Sequence, residues 1–283
     1  MLKSLSSAVS GLRSHQTMLD VIANNVANVN TSGFKASRTT FSDVFYQNLS
    51  TATGPTATAG GTNGRQIGSG TTVSTVDMIN TQGSYSQTDK ETDLYISGEG
   101  YLTIQDSAGN VSYTRVGNLS FDSAGNLVDS NGNHVMGVNA GVLDAYDPDN
   151  PIALSSLSNI TVADYEEYSS IAIGSDGIIT GVDSDGTTQT LGQIVLASFI
   201  NPAGLSQDGS LYMSATANSG AAIYAAAGSD ITGTFVTGGL EMSNVDLSQQ
   251  LTNMIIAQRG FQANSRIITT SDEVLQELVN LKR

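Results

Sequence analysis

The chain has 283 residues, a formal net charge of −15 and neither cysteine nor tryptophan. Without cysteine it forms no disulfide and offers no thiolate ligand for a metal, and the acidic excess argues against nucleic-acid binding. Its 30 glycines and four prolines are typical of many short strands joined by tight turns.

Residues 2–29 are predicted to form a single amphipathic helix. Its apolar side chains alternate at spacings of three and four residues, which is typical of the seam along which the helices of a coiled coil meet. This N-terminal seam consists of Leu2, Leu5, Val9, Leu12, Leu19 and Val26. We expect the helix to end in the asparagine-rich run at 24–30, because Gly33 can adopt the left-handed conformation that stops a helix.

Residues 31–72 are predicted to form an extended connector. Its centre, at 51–70, consists of small residues with turn signals, which is typical of a flexible linker. The alternative is an arm that lies along neighbouring subunits. Five apolar residues favour the arm, because a free linker would leave their side chains in water: Phe34, Phe41, Val44, Phe45 and Tyr46.

Residues 73–239 are predicted to form a compact, mainly antiparallel β domain. Apolar and polar residues alternate in short runs, of which 193–200 is the most apolar. Between the runs, DSAGN occurs at 106–110 and again at 122–126, where Asp and Gly favour tight turns. Residues 144–170 are interpreted as an insertion or a reduced extra domain.

Residues 240–283 are predicted to contain a second long helix with the same alternating spacing. Its C-terminal seam consists of Leu251, Met254, Phe261, Ile268, Leu275 and Val279. An isolated helix cannot bury such a stripe, so we expect both ends of the chain to be mobile in the monomer and to become ordered on packing. The predicted fold class is therefore α+β: residues 1–30 and 240–283 form a coiled-coil-like helical domain, residues 31–72 an extended connector, and residues 73–239 the β domain.

The negative charge is concentrated in the middle of the chain. Residues 1–50 carry +2 and residues 240–283 carry −1, which leaves −16 between them. A charge of that size keeps a surface hydrated, whereas the nearly neutral ends can pack closely. We therefore expect the β domain to face solvent and the helices to lie inside an assembly.

No arrangement typical of catalysis or cofactor binding occurs in the sequence. The two histidines, His15 and His134, are far apart in the sequence, and there is neither a phosphate loop ending in Lys-Ser/Thr nor a Gly-x-Ser-x-Gly elbow. Residues 183–186 match the start of a calcium loop, but Ile194 occupies the position of its bidentate glutamate, so a turn is favoured. We predict a protein that is not an enzyme and has no catalytic residue, cofactor or metal.

No segment is predicted to insert into a membrane. The apolar run after Lys3 is interrupted by Gly11 and Arg13 and lacks a small-residue cleavage site. No stretch approaches the roughly 18–20 apolar residues of a membrane span. We expect either a cytosolic location or export without a cleaved signal peptide.

Three segments carry motifs that are specific to one protein family. The first is NNVANVNTSGFKASR at 24–38, the second is ISGEGYLTI at 96–104 with YTRVGNLSFDSAGNLVDSNGNHVMG at 113–137, and the third is 240–283. They resemble the N-terminal signature, the β-domain core and the C-terminal pattern of the bacterial flagellar axial family, which comprises rod, hook and hook-associated proteins. The signature residues at the helix end are Asn24, Asn25, Asn28, Asn30, Thr31, Gly33, Phe34 and Lys35.

The resemblance implies a structural subunit that polymerises in the flagellum. The terminal helices then form an inner tube, residues 31–72 a connector arm, and residues 73–239 an outer shell. The N-terminal seam is expected to pack against the C-terminal seam of the same or adjacent subunits. The resemblance also implies export through the flagellar type III apparatus, so that the chain acts outside the cell.

Within the family, residues 1–38 and the GPTATAGGTNG at 54–64 most resemble the hook protein, so we expect a hook subunit. The implied partners are other copies of the chain, the distal rod protein, the hook cap and the hook–filament junction proteins. The alternative is a distal rod subunit, because 144–170 leaves little room for the outer domain of many hook proteins. More remote alternatives are a secreted β-rich adhesin and a coiled-coil regulator or translocator of another type III system.

Overall fold

The computed structural model describes most of the chain, namely residues 2–56, 60–139, 154–162 and 165–281. The chain divides into two compact units. Unit 1 combines Met1–Asn28, Ala36–Ile79 and Val245–Arg283. Unit 2 combines Val29–Lys35 and Asn80–Asn244. The backbone therefore passes between the units at four points.

Unit 1 contains both long helices, α1 (Leu2–Ala27) and α2 (Leu247–Asn280). The end of α1 lies in the asparagine-rich run, as the sequence predicts. The start of α2 is capped by Asp246, whose carboxylate accepts hydrogen bonds from the amides of Ser248 and Gln249 at 2.8 and 3.2 Å. No helix in the described part of the chain is long and apolar enough to cross a membrane.

Unit 1 also contains four strands that form two antiparallel ribbons. The strands are β1 (Ser37–Asp43), β2 (Tyr46–Ser50), β3 (Arg65–Gly68) and β4 (Thr71–Met78). β1 pairs with β4 and β2 pairs with β3, and every residue of β2 and β3 is exposed. Much of the predicted connector at 31–72 is thus strand, and its role as a separate connector domain stays a prediction.

Unit 2 is built from short strands that pair antiparallel throughout. They are β5 (Tyr85–Gln87), β6 (Leu94–Ser97), β7 (Tyr101–Gln105), β8 (Val111–Thr114), β9 (Leu119–Phe121), β10 (Leu127–Asp129), β11 (His134–Asn139), β12 (Ser158–Asn159), β13 (Tyr168–Ile173), β14 (Ile178–Asp183), β15 (Thr188–Ser198), β16 (Ser206–Gly209), β17 (Tyr212–Ser214), β18 (Ile223–Ala226), β19 (Thr234–Thr237) and β20 (Gly239–Glu241).

The main sheet of unit 2 has the strand order β13-β14-β15-β11-β7-β8-β17-β16, with β9, β10, β12 and β18 attached at its sides. Two further pairs, β19 with β6 and β20 with β5, join the end of the unit to its beginning. The predictions of helices at both ends and of a mainly antiparallel β domain are confirmed. That the helices form a coiled coil stays a prediction.

Aspartates close the tight turns of this sheet. The Asp122 carboxylate accepts hydrogen bonds from the amide and side chain of Asn126 at 2.8 and 2.9 Å, and Gly125 takes a left-handed φ of +79°. These hydrogen bonds lower the pKa of Asp122 below its ordinary value. Residues 183–186 likewise form the turn between β14 and β15, with the Gly186 amide donating to the Asp183 carbonyl at 2.9 Å.

The core of unit 2 lies between these strands and consists of aliphatic side chains with one phenylalanine. Its buried members are Leu94, Ile96, Leu102, Leu119, Leu127, Val135, Ile160, Ile173, Ile179, Ile194, Leu196, Ala227 and Phe235. Residues 144–153 of the predicted insertion lie outside the described residues. Its described part includes β12, which pairs with β11 at Met136 and Gly137.

A pair of buried phenols adds a pH-sensitive element to unit 2. The hydroxyls of Tyr113 and Tyr224 are 2.7 Å apart, and the Phe199 ring meets the Tyr113 ring edge-on at 4.8 Å. Burial raises the pKa of both phenols above the ordinary value of 10. Both phenols therefore stabilise the fold below pH 10 and lose that contribution as the pH rises further, because the unfolded state releases the protons first.

We predict that the free energy of unfolding of unit 2 falls above about pH 10 and that Tyr224→Phe makes this fall shallower. At neutral pH the substitution should cost about 1–3 kcal/mol, since it leaves the buried Tyr113 hydroxyl without its partner. Denaturant unfolding at a series of pH values measures both effects. The control Tyr165→Phe removes a phenol that is 40% exposed. Equal slopes for the two variants would contradict the prediction.

Candidate assembly surfaces

The two helices of unit 1 run antiparallel and approach closely at small residues. A Cβ atom added to Gly11 of α1 would lie 2.7 Å from the Asn264 side chain of α2. A Cβ atom added to Gly260 of α2 would lie 2.6 Å from the imidazole of His15. Both distances are shorter than those of real Cβ atoms, so a side chain at either position would have to displace Asn264 or His15.

One face of α1 is buried within unit 1, against both α2 and the strands β1 and β4. We call it the inner face; it consists of Ala8, Gly11, Ser14, Ile22 and Asn25. On α2 the buried side chain is Ala257. Along much of α1, each inner-face residue comes one position before a residue of the predicted N-terminal seam. The inner face is therefore rotated by about 100° around the helix axis from that seam. Sequence periodicity therefore did not identify the buried positions.

The predicted seam residues retain much of their exposure. On α1, Leu5, Leu12, Leu19 and Val26 are half-buried and Val9 is 37% exposed, while the side chain of Leu2 lies outside the described residues. On α2, Met254, Ile268 and Leu275 are half-buried, whereas Leu251, Phe261 and Val279 are 50%, 37% and 66% exposed. Both seams thus leave apolar surface available to other molecules.

The signature residues that end α1 stabilise the chain locally. Asn25 is buried; its side-chain amide donates to the Ser37 carbonyl at 2.7 Å and accepts from the Ser37 amide at 2.9 Å. The Asn28 side chain donates to the Asn24 carbonyl at 2.9 Å. The first contact fixes the start of β1 to the end of α1, and the second caps the last turn of the helix. Asn30 is exposed.

The remaining signature residues lie in unit 2. The Phe34 amide donates to the Thr31 carbonyl at 3.3 Å, which closes a turn. Gly33 adopts a φ of +75° and its amide donates to the Glu241 carbonyl at 2.7 Å. Both Phe34 and Lys35 are buried. The turn thus directs Lys35 towards the interior of the unit.

Lys35 forms a buried ion pair with Glu241, and each side chain is only 1% exposed. Its ammonium lies 2.5 Å from the Glu241 carboxylate and donates to the Thr81 carbonyl at 2.8 Å. The Gly83 amide donates to the same carboxylate oxygen at 2.8 Å. Segments from the beginning, middle and end of the chain therefore meet at this pair.

Arg115 completes the ion cluster, which we define as Lys35, Arg115 and Glu241. Its guanidinium lies 3.5 Å from the second Glu241 oxygen and donates to the carbonyls of Gly100, at 2.9 Å, and Gly98. The guanidinium also lies 5.5 Å from the centre of the Tyr101 ring, which attracts cations.

Three carbonyl oxygens and the Tyr101 ring partly compensate the excess positive charge of the ion cluster. Burial lowers the pKa of Lys35 below its ordinary value, and the hydrogen bond and charge of Glu241 oppose that effect. Burial raises the pKa of Tyr101. Sequence reasoning missed Glu241 and Arg115 as partners of Lys35, although all three lie in the segments that carry the family motifs.

These arrangements contribute to packing within each unit. Within the described residues, no group of His, Cys, Asp and Glu side chains could hold a metal ion. The helices of unit 1 expose apolar side chains. In unit 2, the ion cluster connects the segments through which the backbone enters and leaves the unit.

We predict that Gly260→Leu destabilises the helix pair by about 1–3 kcal/mol, because the new side chain overlaps His15. His15→Ala should relieve most of this cost in the double variant. Hydrogen exchange of the α1 and α2 amides measures the effect. Additive costs of the two substitutions would mean that the side chains do not meet.

We predict that Glu241→Gln destabilises unit 2 by about 3–5 kcal/mol, because it leaves two buried cations without a counter-ion. Lys35→Met should cost less, since Arg115 still faces the carboxylate. Denaturant unfolding of the full chain measures both. The control Asp185→Asn removes a carboxylate from an exposed turn and should change stability by no more than about 0.5 kcal/mol. A Glu241→Gln effect no larger than the control would contradict the role of the ion cluster.

Comparison with known families assigns three parts of the chain. Residues 5–35 match the model "Flagella basal body rod protein". Residues 95–181 match "Flagellar hook protein FlgE/F/G D1 domain". Residues 236–281 match "Flagellar basal body rod FlgEFG protein C-terminal". These matches include most of α1, all of α2 and part of the sheet of unit 2.

Relatives are similar to the chain along its full length. The flagellar basal-body rod protein FlgG of Bacillus subtilis is 46% identical over 284 residues, and that of Borreliella burgdorferi is 38% identical over 286 residues. The flagellar hook protein FlgE of the same Borreliella species is 30% identical over an alignment of 442 residues. Each alignment covers all of both proteins. The chain belongs to the family of bacterial flagellar rod and hook proteins, whose members are structural components of the flagellum.

Proposed function

We propose that the chain is a structural subunit of the distal flagellar rod, in which copies polymerise into a helical tube. The observation that carries this proposal is the 46% identity to a rod protein FlgG across the whole chain. A second rod protein is similar over nearly the same length, at 38% identity. This proposal replaces our expectation of a hook subunit.

The lengths of the relatives support the rod over the hook. The chain aligns with the Bacillus rod protein over 284 positions, which is nearly its own length. The alignment with the hook protein needs 442 positions, so that protein contains segments that this chain lacks. The opening residues and connector that favoured the hook lie in parts of the chain that align with both relatives. A hook subunit stays the second candidate because of the 30% identity.

Exposed apolar surface on α2 supports the proposed polymerisation. Its large apolar side chains that are at least 37% exposed are Leu247, Leu251, Ile255, Ile256, Phe261, Ile267, Val274, Leu278 and Val279. Complete burial of one such side chain stabilises by about 1.5–3 kcal/mol, and a half-exposed one retains about half of that. Contacts between several copies can therefore order helices that are mobile in the monomer, and we propose coiled-coil-like packing of both seams with neighbouring copies.

The partners of a rod subunit are other copies of the chain and the adjoining axial proteins of the flagellum. We propose that the chain reaches its position through the flagellar type III export apparatus. We expected the hook cap and the hook–filament junction proteins as partners of a hook subunit, so we do not propose them as partners of a rod subunit.

We predict that cells lacking this chain assemble an incomplete rod without a hook. Electron microscopy of isolated basal bodies distinguishes the candidates, because a complete rod without a hook would identify a hook subunit. Expression of the full chain should restore the structure.

A variant without residues 1–29 should remain soluble and fold its β unit but fail to polymerise. A polymer of normal appearance from that variant would contradict the proposal.

A further inference from the structure

Two asparagines of the chain are followed directly by glycine, namely Asn63 and Asn131. Such a pair can lose ammonia without a catalyst, because glycine has no side chain to shield its amide nitrogen. That nitrogen attacks the carbonyl carbon of the asparagine side chain, a C–N bond forms, and the displaced amino group leaves as ammonia with the proton of the attacking amide. Water then opens the succinimide ring to aspartate or isoaspartate. The structure around each pair decides how fast the reaction proceeds.

Asn63 lies in a short exposed gap of the β2–β3 ribbon. On one side of the gap, Thr53 and Thr62 exchange backbone hydrogen bonds at 2.9 and 3.1 Å. On the other side, β3 begins at Arg65. Both Asn63 and Gly64 are exposed, and within the described residues no hydrogen bond engages the Asn63 side chain or the Gly64 amide. The two reacting groups are therefore free to meet.

Asn131 is also exposed, but both of its reacting groups are held in place. Its side-chain amide donates to the Tyr212 hydroxyl at 2.7 Å, and its backbone amide donates to the Asp129 carboxylate at 2.9 Å. The Gly132 amide, which would have to attack, donates to the Asp129 carbonyl at 3.1 Å. The reaction at Asn131 must first break the hydrogen bonds of the attacking nitrogen and of the side chain, so it is slower.

We propose that Asn63 is a site of spontaneous deamidation in the folded chain and that the turn at Asn131 protects the second asparagine. The inference goes beyond the proposed function and does not depend on it. Deamidation of Asn63 places a carboxylate beside Arg65, in a ribbon whose strand residues are all exposed.

The isoaspartate product also changes the main chain of the ribbon. Its backbone runs through the former side chain and is longer by one carbon atom. The additional carbon lies between Thr62, which pairs with Thr53, and Arg65, which pairs with Ser50. The opposing strand has no matching extension, so the isoaspartate product weakens the pairing at this end of the ribbon.

The rate at each asparagine is measured by incubating the full chain at mildly alkaline pH, followed by mass spectrometry of its peptides. Alkaline pH accelerates the attack because the glycine amide must lose its proton. In the folded chain we expect Asn63 to react about tenfold or more faster than Asn131, whose hydrogen bonds must break first. In denaturant the two rates should agree within about threefold, because the hydrogen bonds of the turn are lost. Equal rates in the folded chain would overturn the inference.

Gly64→Ala is the matched variant for the mechanism. A Cβ atom added to Gly64 would lie 3.4 Å from the Ser50 carbonyl oxygen, its nearest neighbour, so the ribbon can accept a methyl group there. The methyl group shields the amide nitrogen and should slow the reaction at Asn63 about tenfold or more, with the rate at Asn131 unchanged. An unchanged rate at Asn63 would mean that the Gly64 amide is not the attacking group.

Hydrogen exchange tests the effect on the ribbon. The deamidated chain, separated by ion-exchange chromatography, should exchange its Thr53 and Thr62 amides about tenfold or more faster than the unmodified chain. Asn63→Asp adds the same charge without lengthening the main chain, so its amides should exchange like those of the unmodified chain. Equal exchange in the deamidated chain and in Asn63→Asp would refute the proposed change of the ribbon.

Discussion

Unit 2 depends on the compensation of charge at Lys35, Arg115 and Glu241. Burying an ammonium, guanidinium or carboxylate costs far more free energy without an ionic partner than with one. The three side chains must therefore be buried together. Lys35 is brought by the turn at Gly33, Arg115 by the end of β8, and Glu241 by β20. The same residues hold the segments through which the backbone enters and leaves unit 2, since Gly33 and Glu241 are also joined through their backbones at 2.7 Å.

Unit 1 divides its helix surface between two kinds of contact. Inside the chain, Gly11 of α1 faces the Asn264 side chain and Gly260 of α2 faces the His15 imidazole. The large aliphatic and aromatic side chains are left on the outside, where they carry most of the available hydrophobic energy. We propose that these exposed side chains contribute to contacts between copies of the chain.

Much of the architecture could be predicted from the sequence, because it depends on local patterns. Helical spacing located α1 and α2, and alternation with Asp-Gly turns located several strands of unit 2. The inner face of α1 could not be located in this way. Periodicity detects large apolar side chains, whereas the inner face contains Gly11 and other small or polar residues. The ion pair between Lys35 and Glu241 could not be predicted from the sequence either, because local patterns carry no information about residues that are 206 positions apart. The hook expectation rested on segments that align with rod and hook proteins alike, whereas the little room at 144–170 and comparison along the full length favoured the rod.

The pairing of β20 with β5 and of β19 with β6 has a consequence for folding kinetics. These contacts close loops of about 150 residues. Closing such a loop costs chain entropy, and this cost arises before the core is packed and its stabilisation is gained. Topologies dominated by such distant pairings fold slowly. Phe235 in β19, which completes the core beside Ile96, belongs to the last part of unit 2 to be supplied by a chain that emerges amino terminus first. A chain of this kind can complete unit 2 only once its residues up to Glu241 are available.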